Sequence, residues 1–425
     1  MKHVLGVISF FPLLSFAALY ACSTDNGDNV FGPSVTDGPS SSSSGNSGAS
    51  SSGSSGDPDA GTSEDGSTTE DGSSSGDSST TTCTSGTVAV LAGNDTTLSG
   101  AIQSKGGAWN GAAIAGGSAL SRPALVPFGQ GFLGAAQASG NVVVSTRYTT
   151  SWSAATTFGV AGVKGPPTLA VAGTNAHVVY SGGNGQKRDF SHGIHDGNAW
   201  NAADAIVGTS QQDFSFGTLG AGLIGDGANV VFMENGTDYK LYTRSFGSAW
   251  SAPTVVTSAA SIGADVPAFP VLVDAEGKYD RVAIYAQQTT RRLSVAGRDA
   301  TGKAWVNSGV VHDFATTNEP FSAARAGQST FLVTFRGQDG NGYYARGSVD
   351  AGGTFTWNAA QPIGGGGNVA VDSTPAVARG VCGDDAIVVY ASAGQVKATR
   401  LRGTTWTASE SVTGASGARV AVATK

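Results

Sequence analysis

One short phrase, a tryptophan set among small residues, returns seven times along this chain and constrains its fold more than any other feature. The phrase reads Ala-Trp-Asn-Gly-Ala at its first occurrence and Thr-Trp-Asn-Ala-Ala at its sixth. Its tryptophans are Trp109, Trp152, Trp200, Trp250, Trp305, Trp357 and Trp406. The chain has seven Trp in all, and successive ones lie 43 to 55 residues apart. This period indicates an array of one repeated supersecondary unit.

Each unit carries the signals of four short strands. The first segment often opens with proline, as at Pro123, Pro167 and Pro320. A β-branched run ending in an aromatic residue follows, as in Val178-Val179-Tyr180, and then come a polar loop, a third segment and the Trp segment. The 63 Gly among 425 residues, with 13% charged residues, agree with a turn-rich β protein. The sequence therefore predicts an all-β, seven-bladed β-propeller of four-stranded blades.

The two ends of the repeat region predict how the ring closes. Residues 86–93 match the second strand of the other units, so the first unit lacks a first strand at its start. Residues 418–424 at the C-terminus resemble that missing strand. We expect the propeller to span residues 83–425 and to be closed by its C-terminal strand, because a borrowed strand leaves no open blade edge.

The first 21 residues have the pattern of a bacterial export signal. Lys2 and His3 precede an apolar run that is too short and too interrupted for a membrane span. The run ends in Leu19-Tyr20-Ala21-Cys22, which resembles the lipobox of bacterial lipoproteins. The resemblance implies a lipid on Cys22 and a location at the outer membrane or cell surface. An ordinary secreted protein is the alternative.

Residues 22–82 are rich in Ser, Gly, Thr and Asp and poor in aliphatic side chains. This composition predicts a disordered linker. The linker holds ten acidic residues and no Lys or Arg, and without those ten and Lys2 the chain has 21 acids and 23 bases. The near-neutral folded part therefore favours no nucleic-acid partner. We expect a monomer without a cofactor.

Two cysteines, Cys83 and Cys382, fall within the predicted propeller. Cys83 precedes the second strand of the first unit, and Cys382 lies in the turn between the first and second strands of the seventh. These units are neighbours across the ring closure, and both positions fall on the same face. In an exported protein this placement favours a Cys83–Cys382 disulfide. Two separate free thiols are the alternative.

The segment Ser348-Val-Asp350-Ala-Gly352-Gly-Thr354-Phe355 matches S-x-D-x-G-x-T-[W/F]. This pattern resembles the Asp box of sialidase-like propellers. The resemblance implies a turn between the third and fourth strands of a blade, in which Ser348, Asp350, Gly352 and Thr354 have a structural role. It implies no catalytic role.

Catalysis of the sialidase type would require further residues. The Arg-Ile-Pro signature of that family is matched only by Ser121-Arg122-Pro123, without the Ile. A Tyr nucleophile needs a neighbouring carboxylate, and Glu234 or Glu319 with Tyr343 is the candidate pair. Glu is scarce in the propeller region, so a glycoside hydrolase stays the alternative to a binding protein.

The repeated tryptophans admit two interpretations. In one, each ring fills the wedge between neighbouring blades, which explains why all seven units keep it. In the other, exposed rings stack on sugars, and the basic residue before each Trp resembles the repeated aromatic and Arg of fucose-type lectin propellers. The repeated Glu of those lectins is absent, which favours the structural interpretation.

The loops after the second strands differ most between units and are the predicted ligand site. Adjacent blades are expected to bring together Lys187, Arg188, Asp189, Glu234, Asp238 and Tyr239. The chain is thus predicted to be a surface-anchored module that binds a glycan or a protein. A purely architectural envelope lipoprotein is a further alternative.

Metal sites are not favoured. Asp339-Gly-Asn341-Gly and Asp274-Ala-Glu276-Gly only partly match calcium loops, and His192 and His195 have no third ligand nearby in the sequence.

Overall fold

The computed structural model describes residues 85–158, 162–163, 165–182, 189–206, 220–224, 227–233, 240–257, 270–287, 292–311 and 319–425. These residues form seven antiparallel sheets, which we number in chain order. Four strands, in the order β3-β2-β1-β30, make up sheet 1: β1 Thr87–Gly93, β2 Leu98–Ser104, β3 Asn110–Ala113 and β30 Arg419–Thr424.

Sheets 2 to 5 each take four consecutive strands. Sheet 2 comprises β4 Ala124–Phe128, β5 Gly131–Ala138, β6 Val142–Tyr148 and β7 Thr156–Phe158. Sheet 3 comprises β8 Thr168–Ala172, β9 Asn175–Gly182, β10 Asp189–His195 and β11 Trp200–Ile206. Sheet 4 comprises β12 Gly220–Ile224, β13 Gly227–Met233, β14 Leu241–Phe246 and β15 Thr254–Thr257. Sheet 5 comprises β16 Val271–Asp274, β17 Tyr279–Ala286, β18 Leu293–Asp299 and β19 Trp305–Val310.

Sheets 6 and 7 each carry a fifth strand that pairs with their third. Sheet 6 comprises β20 Ser322–Arg325, β21 Thr330–Arg336, β22 Gly342–Val349, β23 Phe355–Trp357 and β24 Gln361–Pro362. Sheet 7 comprises β25 Ala376–Arg379, β26 Ala386–Ser392, β27 Gln395–Arg402, β28 Thr405–Trp406 and β29 Glu410–Ser416. No helix in the described ranges has the length and hydropathy needed to cross a bilayer.

The first strands of the sheets pack side by side in a closed series around a central channel. The series runs β30, β4, β8, β12, β16, β20, β25 and back to β30. The fold of the described residues is therefore an all-β propeller of four-stranded blades. The predicted closure is confirmed: β30 pairs antiparallel with β1, with Val90 opposite Val422 and Gly93 opposite Arg419.

The core lies between the sheets. The second strand of sheet 2, β5, is buried along its whole length because both faces are covered by neighbouring blades. Phe331 of sheet 6 and Ile284 of sheet 5 belong to one apolar cluster, and Val88 of sheet 1 and Ile387 of sheet 7 belong to another. Apolar layers of this kind hold each blade to the next.

The tryptophans are part of these layers, as the structural interpretation predicted. The Trp200 ring stacks on Phe158 of sheet 2 with 4.1 Å between ring centroids, and its Nε1 donates to the Ser145 hydroxyl at 2.8 Å. The Trp109 Nε1 donates to Glu410 of sheet 7 at 2.8 Å. Trp152 lies against Gly100 of sheet 1, where an added Cβ would be 2.2 Å from the indole. Trp109 is buried and the other six tryptophans are half-buried, which agrees with a packing role between blades.

Candidate functional site

The central channel opens into a cavity at the N-terminal ends of the first strands. The cavity has a volume of about 390 Å³. Its lining comes from the segments that lead into the first strands of five sheets: Ser121, Arg122, Pro166, Glu319, Pro320, Asp372, Ser373, Thr374, Ala418 and Arg419. We call this space the mouth cavity. A second cavity of about 170 Å³ continues from it into the channel and shares Arg122, Pro166 and Pro320 with it.

Proline positions the polar residues of this mouth. Three polar residues of the lining each directly precede the proline that leads into a first strand: Arg122 precedes Pro123, Glu319 precedes Pro320 and Thr374 precedes Pro375. Proline has no N–H to leave unpaired at the start of a strand, and it holds the preceding residue in an extended conformation. The repeat therefore places a polar side chain at the mouth where the chain enters sheets 2, 6 and 7, whereas Pro166 takes this position before sheet 3.

Three of the charged groups at the mouth are matched by opposite charge or by backbone dipoles. The Glu319 carboxylate accepts from Arg336 Nη1 at 2.6 Å and from the Thr374 amide at 3.0 Å. The Asp372 carboxylate accepts from the backbone amides of residues 393 and 394 at 3.0 and 2.7 Å. Arg419 Nη1 lies 2.7 Å from Asp95 Oδ1. These groups stabilise the mouth and hold its shape.

Arg122 differs from the other charged groups. Its Nη1 donates to the main-chain carbonyl of Phe321 at 2.9 Å, and no carboxylate among the described residues contacts it. Its surroundings remove water and lower the pKa of the guanidinium to about 10. It therefore stays protonated at neutral pH. The preceding residue is Ser121, whose hydroxyl is buried and has no hydrogen-bond partner among the described residues.

Similarity to solved structures was found, at low identity. No family model and no curated protein matches the chain. AofleA from Arthrobotrys oligospora is 17% identical, with 72% of this chain and 90% of that chain covered and a TM-score of 0.46. A fungal lectin from Aleuria aurantia, described as a six-bladed β-propeller, is 15% identical, with 63% and 88% covered and a TM-score of 0.42. A protein from Lactobacillus plantarum is 10% identical, with 80% and 99% covered and a TM-score of 0.49.

Most of the predicted ligand residues lie outside the described residues. These are Lys187, Arg188, Glu234, Asp238 and Tyr239. Asp189 is described as the first residue of β10, paired with Gly182 of β9. The site predicted from the loops after the second strands therefore stays a prediction. The Asp372 contacts show that one such loop, at residues 393 and 394, shares a face with the mouth cavity.

The pair proposed for a hydrolase is not assembled. The Tyr343 hydroxyl donates to Asp339 at 2.6 Å, and this hydrogen bond raises the pKa of the phenol. Glu319 is held by Arg336 and Thr374 instead of contacting Tyr343. Glu234 lies outside the described residues. Of the two candidate pairs, Tyr343 with Glu319 is therefore not formed in the structure, since the two side chains bond to different partners.

The Asp350 segment forms a turn between β22 and β23. Asp350 Oδ1 accepts from the Thr354 amide at 2.8 Å, and backbone hydrogen bonds of this kind lower the pKa of the Asp350 carboxyl. The Gly353 carbonyl accepts from the buried Tyr279 hydroxyl of sheet 5 at 2.9 Å. Phe355 stacks on the Tyr279 ring at 5.4 Å. Ser348 and Gly352 stand within the same segment, which docks one blade on the next.

The histidines form a buried pair instead of a metal site. His177 Nδ1 and His192 Nε2 are 3.0 Å apart, and the two rings are nearly parallel. His195 Nδ1 accepts from the Gly197 amide at 3.0 Å. Within the described part of the chain, no three His, Cys, Asp or Glu side chains are grouped to hold a metal ion.

Cys382 is disulfide-bonded. Its backbone has a φ of 61°, and its Sγ lies 3.3 Å from the Ser85 carbonyl oxygen. The other two cysteines, Cys22 and Cys83, lie outside the described residues. Pairing with Cys83 stays a prediction, and the proximity of Ser85 favours it, because Ser85 is two residues from Cys83.

The sequence contained one signal for the mouth cavity. The prolines that open the first segments were recognised as strand starts, and the polar residues just before them line the cavity. Arg122 appeared only as part of an incomplete family signature. Ser121, Asp372 and Arg419 had no motif, because the residues that meet at a ring centre are separated by whole blades in the sequence.

Proposed function

We propose that this chain is a glycan-binding module whose ligand sits in the mouth cavity of the propeller. The observation that carries the proposal is the convergence of hydroxyl, carboxylate and guanidinium groups on one cavity of about 390 Å³. Small-molecule sites in proteins have volumes of roughly 300 to 1,000 Å³. Of these groups, the Ser121 hydroxyl and the Arg122 guanidinium have hydrogen-bonding capacity left over.

The lining suits a sugar better than an apolar ligand. Sugar hydroxyls both donate and accept, and the lining offers both functions within one space. The rings of Pro166 and Pro320 add apolar surface for the C–H faces of a sugar. The packed first strands hold these groups in place, so little ordering entropy is lost on binding.

We also propose that the seven described sheets are seven blades of one ring, and that Cys22 carries a lipid anchor. The lipobox-like Leu19-Tyr20-Ala21-Cys22 supports the anchor. Cys22→Ala should release the protein from membranes and leave the propeller folded. A variant that still fractionates with the envelope would reject the anchor and leave the binding proposal untouched.

A glycan array probed with the full chain carrying Cys22→Ala tests the binding proposal. The array should include neutral, fucosylated and acidic glycans, since the Aleuria aurantia lectin has a fucose recognition mode. We expect binding that Ser121→Ala and Thr374→Val weaken. Arg402→Gln is the matched control, because Arg402 is exposed at the far end of β27 and Asp384 keeps Arg400 as a partner. Binding that neither cavity variant changes would place the ligand elsewhere.

A further inference from the structure

Arg122 reaches across the channel. It precedes β4 of sheet 2, and its hydrogen-bond acceptor Phe321 precedes β20 of sheet 6. Sheets 1 and 7 lie between these two blades on the shorter way round the ring. The guanidinium therefore stands in the channel itself. It borders the mouth cavity on one side and the deeper 170 Å³ cavity on the other.

The charge of Arg122 is not neutralised within the described residues. A single carbonyl takes one of the five N–H donors of a guanidinium. The two carboxylates of the lining are both occupied, Glu319 by Arg336 and Thr374, and Asp372 by two backbone amides. Arg122 is half-buried, and a charge that loses part of its hydration without gaining a counter-charge costs folding free energy. A cost of this kind at a cavity suggests use by a ligand.

Ser121 is an independent second observation at the same place. Ser121 lines the mouth cavity, and its buried hydroxyl has no hydrogen-bond partner in the described part of the chain. Buried polar atoms in proteins nearly always have one, and exceptions often mark a site for a ligand or water. Ser121 and Arg122 both line this cavity, and an O–H donor and a guanidinium fork that face one cavity are the donors that a small oxyanion requires.

We propose that Arg122 and Ser121 bind an oxyanion group of the ligand, which makes the preferred ligand an acidic sugar. The anionic group is a carboxylate, as in a uronic acid, or a sulfate ester. The fork of Arg122 supplies paired N–H donors to two of its oxygens, and Ser121 donates to one of them. The acidic sugar rests on the proposed function, whereas the oxyanion site rests only on these two residues and the cavity.

Calorimetric titration of the full chain carrying Cys22→Ala with D-glucuronate, a glucose sulfate and D-glucose tests the proposal. We expect at least one of the two acidic probes to bind at least about ten-fold more tightly than glucose, the advantage of a charge-assisted hydrogen bond. Arg122→Gln should remove that advantage, so that this variant binds the acidic probes no more tightly than it binds glucose. Arg122→Lys should keep part of it, because Lys has the charge without the fork. Arg402→Gln should change nothing.

Two results would overturn the proposal. One is equal affinity for the acidic and the neutral probes, which includes binding of none of them. The other is an acidic-probe affinity that Arg122→Gln leaves unchanged. Thermal melts accompany each variant, and Arg122→Gln should melt no lower than the parent because it removes an unmatched charge. If it fails to fold, the comparison of Arg122→Lys with the parent decides.

The failure of this inference differs from that of the proposed function. An array that shows only neutral glycans, bound through the mouth cavity, retains the function and rejects the acidic ligand. If no glycan on the array is bound but glucuronate or the glucose sulfate binds in a way that depends on Arg122, the oxyanion site is retained and the proposed glycan-binding function is rejected.

Discussion

Lowering the pH from 7 to 4 should cost this propeller about 3 kcal/mol of folding free energy through His192 alone. His192 is 1% exposed and His177 is 5% exposed. The His192 ring packs against Phe246 and Trp250 of the next blade, with centroids 4.5 and 4.9 Å away. Its Nδ1 is buried, and no hydrogen-bond partner for it lies within the described ranges. Burial, and secondarily the charge of a protonated His177, lower the pKa of His192 to about 4.

The sign and the size follow from the difference between the folded and unfolded pKa values. The unfolded chain binds the proton near its ordinary pKa of 6.5, whereas the folded chain resists it until about 4. The stability contribution is therefore fully present above 6.5 and is lost as the pH falls towards 4. One pKa unit corresponds to about 1.4 kcal/mol, so the loss is about 2 kcal/mol by pH 5 and about 3 kcal/mol by pH 4.

Urea unfolding at pH 7, 6, 5 and 4 measures this loss. The double variant His177→Gln/His192→Gln replaces the two rings with amide side chains of similar length that do not titrate. Its free energy of unfolding should therefore depend less on pH between pH 7 and 5. The parent should lose at least about 2 kcal/mol more than the double variant over that interval, because burial also lowers the pKa of His177. Acidic side chains titrate alike in both proteins and cancel in the comparison. Parallel stability curves would refute the assignment of this pH dependence to the histidine pair.

Three further predictions concern the blade interfaces. Trp200→Ala should lower the free energy of unfolding, measured in urea, by about 3 kcal/mol, because it removes the stacking on Phe158 and the hydrogen bond to Ser145. An unchanged free energy of unfolding would show that the Trp200 ring does not stabilise this interface. Gly100→Ala should cost about 1 to 3 kcal/mol, since its Cβ would meet the Trp152 indole, and Trp152→Leu should recover part of this loss in the double variant. Non-reducing peptide mapping should recover Cys83 joined to Cys382, and reduction should lower the Tm; a Cys382 peptide joined to any other cysteine would contradict the pairing.

The parts of the fold that the sequence predicted are those that every blade needs. Each unit must cover its neighbour, so each keeps a Trp between the blades, and the same demand repeats at every interface. The closing strand was also predictable, because a unit that starts at its second strand must obtain a first strand elsewhere. The pairing of Val90 with Val422 satisfies that demand. A packing requirement that recurs at every blade interface therefore appears in the sequence as a repeat.

The mouth cavity could not be predicted in the same way, because its residues meet only where the ring closes on its axis. Arg122 and Phe321 are 199 residues apart, and their hydrogen bond depends on the number and tilt of all the blades between them. No local motif records that arrangement. The prolines mark the segments that lead to the mouth. They do not show that Glu319 pairs with Arg336, or that Arg122 donates to the Phe321 carbonyl and contacts no carboxylate among the described residues.

The histidine pair shows why spacing along a chain misleads in a β protein. His192 and His195 were considered together because they are three residues apart, a spacing that brings side chains together on a helix. In a strand, residues three apart point to opposite faces. His192 instead lies opposite Val179 in the register of β10 and β9, which makes His177, two residues before Val179, its diagonal neighbour on the same face. The partner of His192 therefore follows from the strand register, and the pH dependence of the fold follows from that partner.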